Sequence, residues 1–208
     1  MNTEEGILKD NNFDRLTVRS NIDYKISENL NFSNNVSVQI AKLDAKSYGA
    51  FTTAYKQAPI VAIKDENGNF GSSSAFNNVG NPVADLFYQD ESQKYLKTQA
   101  TFKIEYDIIE NLKLTSRFSI ESENQEFITF NDHIGRHFAR NPKTAFTEKV
   151  ENELKVKMLN KHRWYWDNYL TYDKTFNDEH HINVTLGITK EDSEEKFVEG
   201  ISTNLPTE

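Results

Sequence analysis

The 208-residue sequence has no cysteine, only 4 prolines and 8 glycines, and no long apolar run. Lacking cysteine, the chain offers no disulfide scaffold, no iron–sulfur site and no thiolate zinc site. So little proline and glycine excludes a low-complexity linker protein. No stretch approaches the roughly 20 consecutive apolar residues of a membrane helix. Cations are in the minority, with 24 Lys+Arg against 32 Asp+Glu and a formal net charge of -8. That balance argues against nucleic acid as a partner, since a phosphate backbone calls for a basic stripe. A secretory leader is also not legible in residues 1–10, because Glu4, Glu5 and Gly6 stand where its apolar stretch would lie. The expectation is either an intracellular protein or a piece that starts inside a longer one. The mean hydropathy of -0.72 reads as soluble, but an outer-membrane β-barrel, whose strands alternate between lipid and water, averages to a similar value.

What the chain does have is alternation with a period of two. Leu16, Val18, Ile22, Tyr24 and Ile26 alternate with Thr17, Arg19, Asn21, Asp23 and Lys25. Five further windows repeat the pattern, at residues 30–40, 96–108, 112–120, 164–172 and 182–188. Over the six windows 28 of 33 even positions are apolar, against 2 of 27 odd ones, Tyr165 and Tyr169. A helix, with its period of 3.6, cannot collect those even positions on one face, whereas a strand does.

The windows pair across short joints. Ser27-Glu28-Asn29 and Ile109-Glu110-Asn111 each leave three residues between apolar flanks, and Asn177-Asp178 supplies turn formers to the third joint. The pattern predicts an all-β fold, an antiparallel β-barrel segment of about six long strands in three hairpins near 13–41, 95–121 and 162–191. The connections near 42–94 and 122–161 read as long loops. Short turns at one end and long loops at the other are the asymmetry of an outer-membrane barrel. Windows of about 11–13 residues exceed the usual 5–6 of a soluble strand, and Tyr24, Tyr106 and Tyr172 stand near strand ends, where a membrane interface places aromatics. The alternative is a soluble β-sheet binding module that uses its long loops for recognition. Six strands would leave two open edges in lipid, so the barrel reading makes this one region of a larger barrel, without a plug domain.

Several stretches resemble a known family. Phe13-Asp14-Arg15-Leu16-Thr17-Val18-Arg19-Ser20-Asn21 is similar to the barrel strand after the plug in SusC/RagA-type TonB-linked outer-membrane proteins, with its Arg-x-x-x-Arg-x-Asn pattern. Ala58-Pro59 followed by Asp65-Glu66-Asn67-Gly68 resembles the family's Pro-then-Asp/Gly loop, and Asn81-Pro82-Val83-Ala84 its Asn-Pro element. Asn168-Tyr169-Leu170-Thr171-Tyr172 through His181-Ile182-Asn183 resembles its Asn-x-Leu-x-Tyr strand and His-led return. The resemblance implies residence in the outer membrane and TonB-dependent import of large nutrients, glycans or peptides. It implies a SusD-type surface lipoprotein over the pore and the TonB complex as energy source, acting through parts of the parent that this sequence lacks. A fragment with neither plug nor TonB box is not expected to transport by itself.

No constellation points to an enzyme, a cofactor or a metal. His133 and His137 are four apart without a third ligand at a telling spacing, and neighbours such as His180 and His181 face opposite sides of a strand. Glu121 and Glu123 share a strand face and read as part of a wet wall. The candidate ligand contacts are the aromatics of the second long loop, Phe127, Phe130, Phe138 and Phe146, whose rings suit stacking on sugars or covering peptide side chains.

Overall fold

Alternating strands joined by tight turns satisfy their backbone groups by pairing with the next strand in sequence, and the chain does this throughout. A computed structural model describes residues 1–46, 49–72, 79–133 and 151–206. Its strands form one antiparallel meander in the order β1 to β7. They are β1 (Asn2–Glu5), β2 (Asn12–Lys25), β3 (Leu30–Lys46), β4 (Gln89–Ile109), β5 (Leu112–Asn131), β6 (Glu153–Phe176) and β7 (His180–Thr203). Two short helices, α1 (Gly49–Lys56) and α2 (Pro82–Phe87), lie in the connection between β3 and β4. The six expected long strands are present, and a short seventh, β1, pairs only with the outer end of β2.

The turns follow from their residues. Asn177 and Asp178 both take positive φ, 53° and 56°, and the Glu179 amide donates to the Phe176 carbonyl at 3.1 Å. Side chains that tolerate the left-handed region are what this type I′ geometry needs. At the Glu110-Asn111 turn the ladder shifts between Asp107 and Ile109, a bulge that leaves both Ile108 and Ile109 exposed.

The strands run well past the predicted windows. β6 and β7 have 24 residues each, roughly 80 Å of extended chain. The connections accordingly shrink from 42–94 to 47–88 and from 122–161 to 132–152. The reason is visible at the even positions. Beyond Ile40 they become Lys42, Asp44 and Lys46; before Leu96 they are Asp90, Ser92 and Lys94; beyond Ile120 they are Ser122, Asn124 and Glu126. Both faces are wet there, so the hydropathy alternation stops while the backbone ladder continues.

Between β2 and β7 directly paired residues share the same parity, apart from the bulge. The apolar even positions therefore merge into one continuous face. Nothing covers it. Leu186 and Ile188 are 76% and 72% exposed. Among the described residues the buried apolar side chains are alanines only, Ala41, Ala50, Ala84 and Ala100. At the centre of the sheet the polar face is the more enclosed one: Thr115 and Ser119 are 1% and 2% exposed, while the neighbouring Phe118 and Ile120 on the other face are far more open; on β7 both faces are exposed. An apolar face left bare, backed by a more enclosed polar face, inverts the arrangement of a soluble sheet domain.

The apolar band also slants. Leu16, Ile40 and Leu96 form one ladder row, but that row continues into Asn124, Asn160 and Lys196. On β5 and β6 the band begins four residues further in, at the paired Ile120 and Trp164. On β7 it begins at Ile188, whose row holds Asn168 and Ser116, another four residues in. The edge thus drops about 26 Å across five strand spacings of about 4.8 Å, a tilt near 45°. That is the tilt at which strands cross a bilayer in a barrel. Within the band the strands contribute about 7 to 13 residues each, bracketing the 9–11 that a tilted span requires.

Two edges are open. β1 covers only Asn12 to Arg15 of β2, and β7 pairs with β6 alone. In hydrocarbon those amide and carbonyl groups need further strands on either side.

Candidate functional site

On the enclosed face the odd-numbered side chains of the long strands form a wall of interlocked charge. Arg117 on β5 donates from Nε and Nη2 to Asp167 Oδ2 on β6, at 2.9 and 2.6 Å, and Thr189 on β7 donates to the other carboxylate oxygen at 2.9 Å. These three residues occupy neighbouring ladder positions, so strand register alone brings them together. Lys97 Nζ lies 3.1 Å from Glu121 and 3.7 Å from Glu123, and Tyr95 donates its hydroxyl to Glu123 at 3.3 Å. Further out, Arg163–Glu191, Lys161–Glu195 and Lys155–Glu199 make three cross-strand pairs, each at 3.1 Å. Glu121 and Glu123 are thus held by Lys97, and they act as wall residues rather than as an acid/base pair.

The β2 end of this face is basic. Arg15, Thr17 and Arg19, with Gln39 of β3, line a shallow cavity of about 400 Å³. Arg15 also stacks its guanidinium toward Phe13, 6.0 Å from the ring centre.

The connection between β3 and β4 is a built module rather than an open loop, and two residues organise it. Asn81, 3% exposed, caps α2 by accepting from the Val83 and Ala84 amides at 3.0 and 3.3 Å. Its amide nitrogen donates to the carbonyls of Ile63 and Gly71 at 2.9 and 3.0 Å. Pro82 follows at the first helical position, where a missing N–H costs nothing. Asp65 closes the tip, accepting from the Asn67 and Asn69 amides at 2.9 and 2.8 Å and from the Asn69 side chain at 3.2 Å. Gly68, at φ +84°, takes the left-handed position of that turn. Hydrogen bonding from the Asn69 side chain, reinforced by backbone amides, holds the Asp65 carboxyl below its ordinary range. Phe70, Phe87 and Tyr88 pack as an aromatic triangle with centroids 5.0 to 5.6 Å apart, and burial there raises the Tyr88 hydroxyl above its ordinary range. Tyr55, Ile60 and Ile63 of the module stay exposed. The two stretches with a Pro or Gly signature, 58–70 and 81–84, thus meet through one asparagine.

The predicted aromatic contacts divide. Phe127 and Phe130 lie on β5, not in a loop, because the strand continues after its alternation ends. Their odd and even numbers put them on opposite faces, so they form no common patch. Phe127 pairs with Gln93 and Lys157 on the wall side. Phe130 lines an outer cavity of about 360 Å³ with Ile128. Phe138 and Phe146, like His137, lie outside the described residues. His181 sits 3.7 Å from Asp173 and beside Thr175 at the third turn. Among the described residues no three His, Asp or Glu side chains gather as metal ligands do. Asn152 escaped the sequence reading. Fully buried, it accepts from the Leu205 amide at 2.6 Å and donates to the Leu205 carbonyl at 2.9 Å, tying the outer ends of β6 and β7.

The wall offers a mixed-charge surface along a tilted strand sheet, with no activated nucleophile among the described residues. Known proteins are similar to the chain in sequence and in fold. No family model matches the sequence. The chain is 26% identical over 184 residues to TonB-dependent receptor P3 of Formosa agariphila, which covers 83% of this chain and 17% of that receptor. Its fold is similar to solved structures of the RagAB peptide transporter, at a TM-score of 0.70 and 15% identity, over 93% of this chain and 22% of that one. The RagAB peptide importer in its open-open state matches at a TM-score of 0.69 and 14% identity. The chain spans about a fifth of the length of these proteins, 17% to 22%.

Proposed function

We propose that this chain, a segment of a TonB-dependent receptor barrel with the RagA-type fold, forms part of the wall of an outer-membrane importer for large nutrients. The observation that carries the reading is the inverted single sheet: a bare apolar face tilted near 45° and an enclosed polar face laced with ion pairs. The apolar face meets lipid; the ion-paired face meets the aqueous lumen and whatever passes through it. Peptides are the favoured cargo, because the solved relatives are peptide transporters and because Arg15 and Arg19 offer guanidinium groups suited to carboxylates. Oligosaccharides are the second cargo class. Phe127, on the wall side, is the aromatic placed to meet cargo, with Phe138 and Phe146 as further candidates. A SusD-type surface lipoprotein at the outer ends and the TonB complex at the inner side complete the assembly.

Expression of the complete receptor that contains this segment tests the reading. The expected result is a heat-modifiable band in the outer-membrane fraction and TonB-dependent uptake of labelled oligopeptides that disappears on deletion. A product that purifies as a cooperative, detergent-independent monomer would return the protein to the soluble binding-module alternative. Uptake of oligosaccharides but not peptides would keep the transporter and change its cargo.

A further inference from the structure

The slanted boundary of the apolar band sorts charge by depth. The first even-numbered residue outside the band is Asp14 on β2, Lys42 on β3, Lys94 on β4, Ser122 on β5, His162 on β6 and Lys190 on β7. The second is Asn12, Asp44, Ser92, Asn124, Asn160 and Asp192. The layer touching the band is thus mainly basic, and the next one outward contains acids and no base. Asp14, Lys42 and Lys94 share one ladder row and Ser122 and His162 another; because the boundary is slanted, these rows and Lys190 would lie level with the membrane surface although they are offset along the ladder. Lys42, Lys94, His162 and Lys190 are all exposed. Lys190 extends over the Trp164 ring, 5.6 Å from its centre, so its stem lies on the aromatic rim while its charge reaches outward.

The same rim holds an amphiphilic cavity of about 550 Å³. Ile40 and Leu96 supply an apolar floor in one ladder row, and Lys42, Lys94 and Glu126 stand in the next row outward, where Met158 is their one apolar neighbour. Lys42 donates to Asp44 at 2.6 Å and Lys94 to Glu126 at 3.0 Å, both pairs being largely exposed. Exposed pairs of this kind are weak, and each ammonium keeps two further donors. The long connections mark this rim as the outer one.

We infer that this basic layer and its cavity bind the phosphorylated headgroup of an outer-leaflet lipid, with the acyl chains lying on Ile40 and Leu96. A phosphate at that depth satisfies cations that the hydrocarbon below cannot, and the acidic layer above limits how far outward the headgroup rides. The inference rests on the barrel reading and adds a lipid site to it.

The test uses the purified complete receptor in detergent micelles, offered diphosphoryl lipid A or its dephosphorylated counterpart, with bound lipid read by native mass spectrometry. The expected result is preferential binding of the diphosphoryl form, weakened about fivefold for each of Lys42→Gln and Lys94→Gln. Lys174→Gln, on the same face near the opposite rim, is expected to change nothing. Equal binding of both lipids by the wild-type receptor overturns the site without recourse to any variant. Displacement of the lipid by millimolar inorganic phosphate also overturns it, in favour of a free-phosphate site. Heat-modifiable migration of the same preparation separates the two failures: a folded barrel blind to phosphate loses only the lipid site, and a chain that is no barrel loses both.

Discussion

The inner and outer halves of the strands are built on the same ladder and held by different forces. In the inner half, from Leu96 to Ile108 on β4 for example, even positions are mostly apolar and exposed, and in the proposed barrel their stabilisation comes from lipid. In the outer half the even face turns polar on β3 and β4 and keeps an apolar patch on β5 and β6, at Ile128, Phe130, Leu154 and Val156, and the sheet relies on cross-strand pairs such as Lys161–Glu195, on the Asn152 clamp and on the module seated between β3 and β4. A sheet can therefore leave the membrane without changing its backbone at all. Only the source of stability changes.

The sharpest way to break this comparison is a charge in the band. Ile104→Arg in the complete receptor should cost about 2–4 kcal/mol, read by urea unfolding in lipid vesicles. Asn124→Arg, on the same face of the outer half, should cost little. Equal losses would mean that the slanted boundary is misplaced. Lys103→Ala, one residue from Ile104 but on the lumen wall, should also be mild.

The next effects concern the outer half. Asn152→Ala removes two hydrogen bonds from a fully buried site and leaves Leu205 unpartnered by its side chain, a cost of about 1–3 kcal/mol. It should appear as faster amide exchange at the outer ends of β6 and β7 with the inner halves unchanged. Asn81→Ala strips the α2 cap and two carbonyl contacts together, for about 2 kcal/mol of local stability. Exchange should rise at Val83 and Ala84 while the ladder of β4 stays protected; loss of protection throughout the sheet would show that the module is not a separate unit.

Smaller still is the wall chemistry. Asp167→Asn should change stability by about 1 kcal/mol or less, since Arg117 remains substantially solvated. Its effect should fall further at high salt. The smallest effect is on pH. The Asp65 carboxyl is lowered by its hydrogen bonds, so the turn it closes is fully supported above the unfolded carboxylate value near 3.9 and loses that support as pH falls through the lowered folded value. Exchange at Asn67 and Asn69 should therefore rise only in strong acid. A rise near neutral pH would mean that another group holds the turn.

Much of this was legible in the residues, and the failures have a common cause. Period two marked all six long strands and their faces, because the contrast between lipid and water is written at alternate positions. Asn177-Asp178 marked a turn because those side chains tolerate positive φ. Phe127 and Phe130 read as loop residues because hydropathy has nothing to alternate once Asn124 and Glu126 face water as Gln125 and Glu123 do. Asn81-Pro82 read only as an element of a long loop, and its hold on Ile63 and Gly71 depends on residues 10 and 18 positions away. Asn152 carried no signal, since an asparagine before a strand is ordinary until Leu205 arrives beside it.

The sequence by itself determined which side chains share a face, where the inner turns fall and that the apolar face needs lipid or a second layer. These are local properties, set by backbone periodicity and by the φ preferences of single residues. Only the tertiary structure decided which residues stand at the same depth. Backbone ladder bonds are identical from row to row, so register comes from the summed fit of whole strands. The tilt that places Lys42 and Lys190 in one layer exists only once those strands are paired.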